Sequence, residues 1–221
     1  MKSLQRVLSS GIFILSLSSI SLAHPLGQSA ESELLRISVH VYNYAGVPDA
    51  QVRAAEAVAT QVLHGAGIEL QWNDCSMKLG RAESNSPACD GTSNKLLLYF
   101  VGPLEGDFKW VANNALGFSI VPVTHEQATM AYVSWPRIQK LSASTSTDAA
   151  DLLGLATAHE VGHLLFGSHD HANQGIMRAP WKSKDLQSKH WEEFRFTRGQ
   201  AQRLRSGVKE RPRTDSSRIG P

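Results

Sequence analysis

Cysteine is scarce in this chain of 221 residues, and Cys75 and Cys89 are its only pair. Two thiols exclude a disulfide-dense scaffold, and they exclude a zinc site built from four thiolates. Charge is not weighted to one sign either: 22 Lys+Arg stand against 20 Asp+Glu, with no long block of either. Such a balance offers no basic stripe, so nucleic acid is not an expected partner. Charged residues are 19% of the chain and hydrophobic ones 42%, which suits one sizeable core and argues against extended disorder. No internal repeat is visible. The one unusual abundance is histidine, with nine.

Long hydrophobic runs are also missing, apart from one at the N-terminus. Lys2 and Arg6 precede the apolar stretch Val7–Leu22, and Ser21-Leu22-Ala23 offers small residues where a signal peptidase cuts. The run is broken by Ser9, Ser10, Ser16, Ser18 and Ser19. At about 16 residues it is short for a hydrocarbon core of about 30 Å. Residues 1–23 therefore read as a cleaved signal peptide, and the mature protein as a secreted or periplasmic monomer without a stable membrane anchor. Lys2 and Arg6 are the segment's only charged residues, so cleavage brings 22 basic residues to 20, equal to the 20 acidic ones. Export also exposes Cys75 and Cys89 to oxidation. A disulfide between them would close a loop of about 15 residues, worth about 3 kcal/mol in the chain-entropy model.

Residues 24–206 read as a single domain and 207–221 as a flexible tail. Leu35, Ile37, Val39 and Val41 alternate with mostly polar residues, the period of a half-buried strand over 34–44. Pro48 and Asp49 open a helix to about Leu63, whose Val52, Ala55, Val58, Ala59 and Val62 recur at helical steps. Ile68–Trp72 is a second strand. Lys95–Val101 is almost continuously apolar and suits a strand covered on both faces. Further strands are expected at Leu116–Pro122 and Met130–Trp135, which makes an α+β domain with helices on one side of a mixed sheet. Ser142–Thr147 reads as a polar linker with Thr147 as N-cap of a helix through Phe166, and Gly167 stands where a C-terminal glycine belongs. A last short helix is expected at Thr197–Arg205.

Four of the nine histidines fall between positions 159 and 171. His159-Glu160-Val161-Gly162-His163 has the form H-E-x-x-H inside the expected helix. Residues four apart lie on one helix face, so both imidazoles can reach one metal, while Glu160 is placed to act on a water bound there. With 9 His and 11 Glu in the chain, chance would produce this pattern in roughly one such sequence in fifty. The helix is otherwise apolar, and burying two imidazoles and a carboxylate without a metal would demand three sets of hydrogen-bond partners. A catalytic zinc site has three protein ligands and one open position. His169 and His171 both follow Gly167, and both are candidates for the third.

The segment HEVGHLLFGSHDHANQGIMRAPW resembles the metzincin metalloproteases, whose signature is H-E-x-x-H-x-x-G-x-x-H followed by a methionine turn. Met177 would be the turn methionine. In the strict pattern the glycine would stand at Phe166 and the third ligand would be His169; the glycine here is one place later. The segment is also similar to exported bacterial proteins of the form HExGHLLLG, a few residues, H, a short gap and GIMRA. On that likeness His171 takes the third place, the alignment preferred here. The resemblance implies a metzincin-like fold with a mixed twisted sheet of about five strands, an active-site helix and a small C-terminal helical part. It implies Zn²⁺ as cofactor, a peptide or protein substrate, and endopeptidase chemistry with Glu160 as general base. The alternative is an exported zinc-binding module without turnover, its metal closed off by Asp170 or a second histidine.

Overall fold

The computed structural model describes residues 34–76, 89, 95–104, 111–112, 114–123, 127–187 and 191–211. The expected signal segment lies outside these residues, as do His24, His125, His190 and positions 212–221. Among the described residues no helix is long and apolar enough to cross a membrane.

The alternating segment forms strand β1 (Leu35–Asn43), with Ile37, Val39 and Val41 buried. Helix α1 (Asp49–His64) follows Pro48 and buries Ala55, Ala59 and Leu63. Strand β2 (Ile68–Asp74) then pairs parallel to β1. Strand β3 (Lys95–Val101) lies along the other side of β1, also parallel. Strands β4 (Gly117–Ile120) and β5 (Met130–Ser134) complete a five-stranded sheet in the order β2-β1-β3-β5-β4. Among the described strands only β4 runs antiparallel, and it forms one edge. The α+β class and mixed five-stranded sheet match the expectation.

Helices α2 (Trp135–Thr145), α3 (Ala149–Phe166), α4 (Ser183–Gln187) and α5 (Arg198–Lys209) follow, with a 3₁₀ turn at Trp191–Phe194 before the last. Helix α3 is the centre of the core. It packs against α1, α2 and α5 and across β3, β4 and β5, and its residues Leu152 to Leu165 are all buried. A helix apolar on every side has to be covered on every side. Contact with α1 is close at Gly154, where a Cβ would lie 2.5 Å from the Ala55 carbonyl oxygen.

The structure departs from the sequence reading at four places. β3 is not covered alike on both faces. Leu96, Leu98 and Phe100 are buried, whereas Lys95, Leu97, Tyr99 and Val101 are half-buried. The second face instead carries a ladder of rings in register, Tyr42–Tyr99–Tyr132–Phe118, with centroids 4.8–4.9 Å apart. Ser142–Thr145 is no linker but the end of α2, where the Ser144 and Thr145 hydroxyls donate to the Leu141 carbonyl oxygen. Asp148, not Thr147, caps α3, accepting from the Ala150 N–H at 2.7 Å. Finally, residues 207–209, expected in the tail, belong to α5, and Arg211 beyond it is buried. The Arg211 guanidinium donates to the carbonyl oxygens of Ala128 and Leu164, the latter in the last turn of α3. A cation there suits the negative end of the helix dipole.

Glu56 on α1 supplies a pH-dependent element. Burial pushes its carboxyl up to about 7, Asp74 adds to the rise, and Arg53 opposes it. Below the usual value of 4.5 the group is protonated folded or unfolded, and its contribution to stability is complete. As pH rises toward 7 the unfolded chain releases the proton first, so that contribution is lost. Glu56→Gln should therefore leave the melting temperature near wild type at pH 4 and raise it at pH 8. A thermal melt at the two pH values checks this, and equal shifts at both would contradict it.

Candidate metal centre

His159 and His163 project from one face of α3 into the protein, 7% and 4% exposed. Each is held through Nδ1. His159 donates to the Ile176 carbonyl oxygen at 2.8 Å, and His163 to the Ser168 carbonyl oxygen at 2.9 Å. A carbonyl can only accept, so both Nδ1 atoms carry the hydrogen and both Nε2 atoms are left with lone pairs. Those two Nε2 atoms face each other at 3.0 Å. Burial pulls His159 down to about 3 and His163 down to about 4; neighbouring histidines add to this, and the two carbonyl bonds oppose it. Both rings are neutral at pH 7. Facing lone pairs with no hydrogen between them repel, and a cation shared by both nitrogens removes the conflict.

The loop after α3 brings a third imidazole to the same place. Gly167 adopts the left-handed conformation at φ 62°, donates its N–H back to His163, and turns the chain off the helix axis. The Ala172 N–H donates to Met177 O at 2.9 Å and the Ile176 N–H to Arg195 O at 3.1 Å, which folds residues 168–178 back over α3. The His171 ring then lies 5.3 Å from His159 and 5.0 Å from His163, centroid to centroid. Donor nitrogens of His159, His163 and His171 lie within 4.8 Å of one another, a group able to hold a metal ion. His169 is exposed, its ring 6.1 Å from that of His163, and it is not in the group. Three neutral imidazoles form a donor set suited to a borderline ion such as Zn²⁺.

No protein-family model matches the sequence, and no curated protein does. Among solved structures, the chain is similar to a zinc-dependent peptidase from Methanocorpusculum labreanum, with a TM-score of 0.47 and 18% identity over 75% of this chain and 99% of that one. It is also similar to archaemetzincin from Methanopyrus kandleri, with a TM-score of 0.46 and 15% identity over 81% of this chain and 98% of that one. These likenesses are distant.

Glu160 points from α3 to the edge strand. It is 5% exposed, and burial pushes its carboxyl up to about 8, against a hydrogen bond from Ser119 that favours the charged form. Met177 is 1% exposed and belongs to the hydrophobic core. A Cβ on Gly162, between the two helix histidines, would sit 2.7 Å from the Met177 sulfur and 3.0 Å from the Phe196 ring. The glycine of H-E-V-G-H thus leaves room for the methionine.

A second set of donors converges at His40, Cys75 and Cys89. Cys75 and Cys89 are joined to each other, with S–S 2.03 Å, so their sulfurs are not free to ligate. His40, in β1, is 2% exposed with Nδ1 3.6 Å from Cys75 Sγ, and it packs against the disulfide.

Sequence reasoning missed several participants. The Ile176 and Ser168 carbonyls are backbone groups, which no residue type announces. Trp181 donates its indole N–H to Ile176 O at 3.2 Å and sets its ring edge-on to His159 at 5.8 Å. Arg178, directly after Met177, pairs with Asp185 of α4 at 2.6 Å. Ser119 of β4 is 41 positions from its partner Glu160.

Gly162→Ala should force Met177 and Phe196 aside and loosen the loop that carries His171. We expect a destabilisation of about 1–3 kcal/mol, typical of overpacking, together with faster metal loss to a chelator. A variant matching wild type in both melting temperature and metal retention would show the contact to be unimportant.

Proposed function

We propose that the protein is an exported, monomeric zinc-dependent endopeptidase acting on peptides or proteins. His159, His163 and His171 would hold the metal, with Glu160 as general base. The observation that carries this is the pair of Nε2 atoms facing each other at 3.0 Å, each ring's other nitrogen committed to a carbonyl. His171, not His169, is assigned as third ligand because it alone joins the converging group.

Zinc in such a site supplies a Lewis acid and brings a water's pKa toward neutrality. Glu160 would carry the proton, its carboxylate taking it from the attacking water and passing it to the departing amine. Among the described residues β4 pairs with β5 alone, so its other edge can receive an extended peptide through backbone hydrogen bonds. A purely structural zinc site is usually closed by a fourth protein ligand. Among the described residues, neither Asp170 nor His169 belongs to the donor group, which favours an open fourth position and turnover.

Three variants separate these roles. Glu160→Gln should keep one zinc per chain and lower peptide hydrolysis by several orders of magnitude; full activity in this variant would sink the assignment of the base. Hydrolysis by the wild-type chain should also stop on treatment with a chelator and return with zinc. For the third ligand, metal analysis should find zinc lost from His171→Ala and kept in His169→Ala. The reverse pattern would move the ligand to His169.

A further inference from the structure

The edge strand β4 touches Glu160 at two alternate residues. The Ser119 hydroxyl lies 2.7 Å from Glu160 Oε2 and 3.0 Å from the Glu160 main-chain oxygen. Ser119 is 2% exposed, so water does not compete for this hydroxyl. One hydroxyl has one hydrogen to give, and the shorter of the two contacts, to Oε2, is the one it makes as donor. Two residues earlier, a Cβ on Gly117 would lie 3.1 Å from Glu160 Oε1 and 3.2 Å from its Cγ. The same hypothetical atom would collide with the Tyr132 carbonyl oxygen of β5. The strand therefore leaves a slot at Gly117 for one side of the carboxyl and holds the other side at Ser119.

We propose that Ser119 is a positioning residue for Glu160, fixing the carboxyl group from the strand along which the substrate would lie. The proposal rests on the reading of Glu160 as general base. A glutamate on a helix has three side-chain torsions, and a base serves only when its oxygen stays within hydrogen-bond reach of the proton it removes. Ser119 removes that freedom by tying Oε2 to the sheet. Substrate docking on β4 and orientation of the base are thereby coupled through one four-residue strand. Ser119 makes no contact with the metal-ligating imidazoles among the described hydrogen bonds, so its loss should act on the base and spare the metal.

The experiment compares wild type, Ser119→Ala, Ser119→Cys and Glu160→Gln as full chains loaded with zinc. In Ser119→Ala we expect kcat to fall roughly 10- to 100-fold, the size of a lost hydrogen bond to a charged group. KM, zinc content and melting temperature should stay close to wild type. Ser119→Cys, which keeps a weak donor in the same place, should recover part of the loss. A readout independent of activity is the infrared carboxyl band of Glu160, identified by its disappearance in Glu160→Gln. That band should shift in Ser119→Ala. An unmoved band, a kcat within twofold of wild type, or a kcat loss matched by loss of zinc would each overturn the proposal. If Glu160→Gln keeps full activity the general-base reading itself fails, an outcome distinct from a silent Ser119→Ala beside an inactive Glu160→Gln.

Discussion

Burying two imidazoles on one helix face obliges the rest of the chain to occupy their second nitrogens. Most of the architecture around residues 159–181 follows from that requirement. A buried ring nitrogen without a partner costs as much as a lost hydrogen bond, and the helix cannot supply acceptors to its own side chains here. The acceptors are the carbonyls of Ser168 and Ile176, both in the loop after Gly167. The loop must therefore fold back over the helix that it has just left. Once it does, His171 arrives beside the other two rings and Met177 falls against Gly162. Ile176 serves twice, since its carbonyl also accepts the Trp181 indole N–H, and that second bond keeps it aimed at His159. Tautomer, ring orientation and loop path form one interlocked set, of the kind that carries metal affinity in histidine sites.

Helix α3 can hold this set because it is covered on all sides. α1 closes on it at Gly154, and α5 and the buried Arg211 guard its C-terminal turn through the Leu164 carbonyl. Helix position governs the geometry of the site directly, because His159, Glu160 and His163 span little more than one turn. The cost falls on the ends of the chain. Residues 207–209 continue α5, and Arg211 donates to the Leu164 carbonyl, so this segment is not free to form a tail.

Much of this was legible in the residues, for identifiable reasons. Strands β1, β2, β3 and β5 announce themselves through alternation or apolar runs, and α1 and α3 through helical periodicity. The ligand pair is legible because its chemistry is written in side chains at a fixed spacing. Helix α2 was missed because its Ser/Thr-rich end lowers its intrinsic propensity. It forms because Trp135 and Ile138 are buried, a tertiary effect that local sequence does not carry. Which histidine joins the pair was ambiguous for a related reason: His169 and His171 have the same chemistry, and only the course of the loop distinguishes them. The backbone acceptors and Ser119 had no signature at all, the former because every residue has a carbonyl, the latter because its partner is distant in the chain.

The ladder of rings on the far side of the sheet bears on the site more than its distance suggests. Strand β4 is only four residues long and sits at an edge, the weakest place in a sheet for register. Phe118 stacks on Tyr132, which stacks on Tyr99 and through it on Tyr42, anchoring β4 to three other strands. Aromatic pairs of this kind contribute about 0.5–1.5 kcal/mol each beyond area burial. Side chains alternate along a strand, so fixing Phe118 on the ladder face fixes Gly117 and Ser119 on the helix face. A slip of one residue would put Phe118 where the Glu160 carboxyl now lies and turn Ser119 away. The order of the outer face is therefore what allows a short edge strand to hold a carboxyl group in place on the inner one.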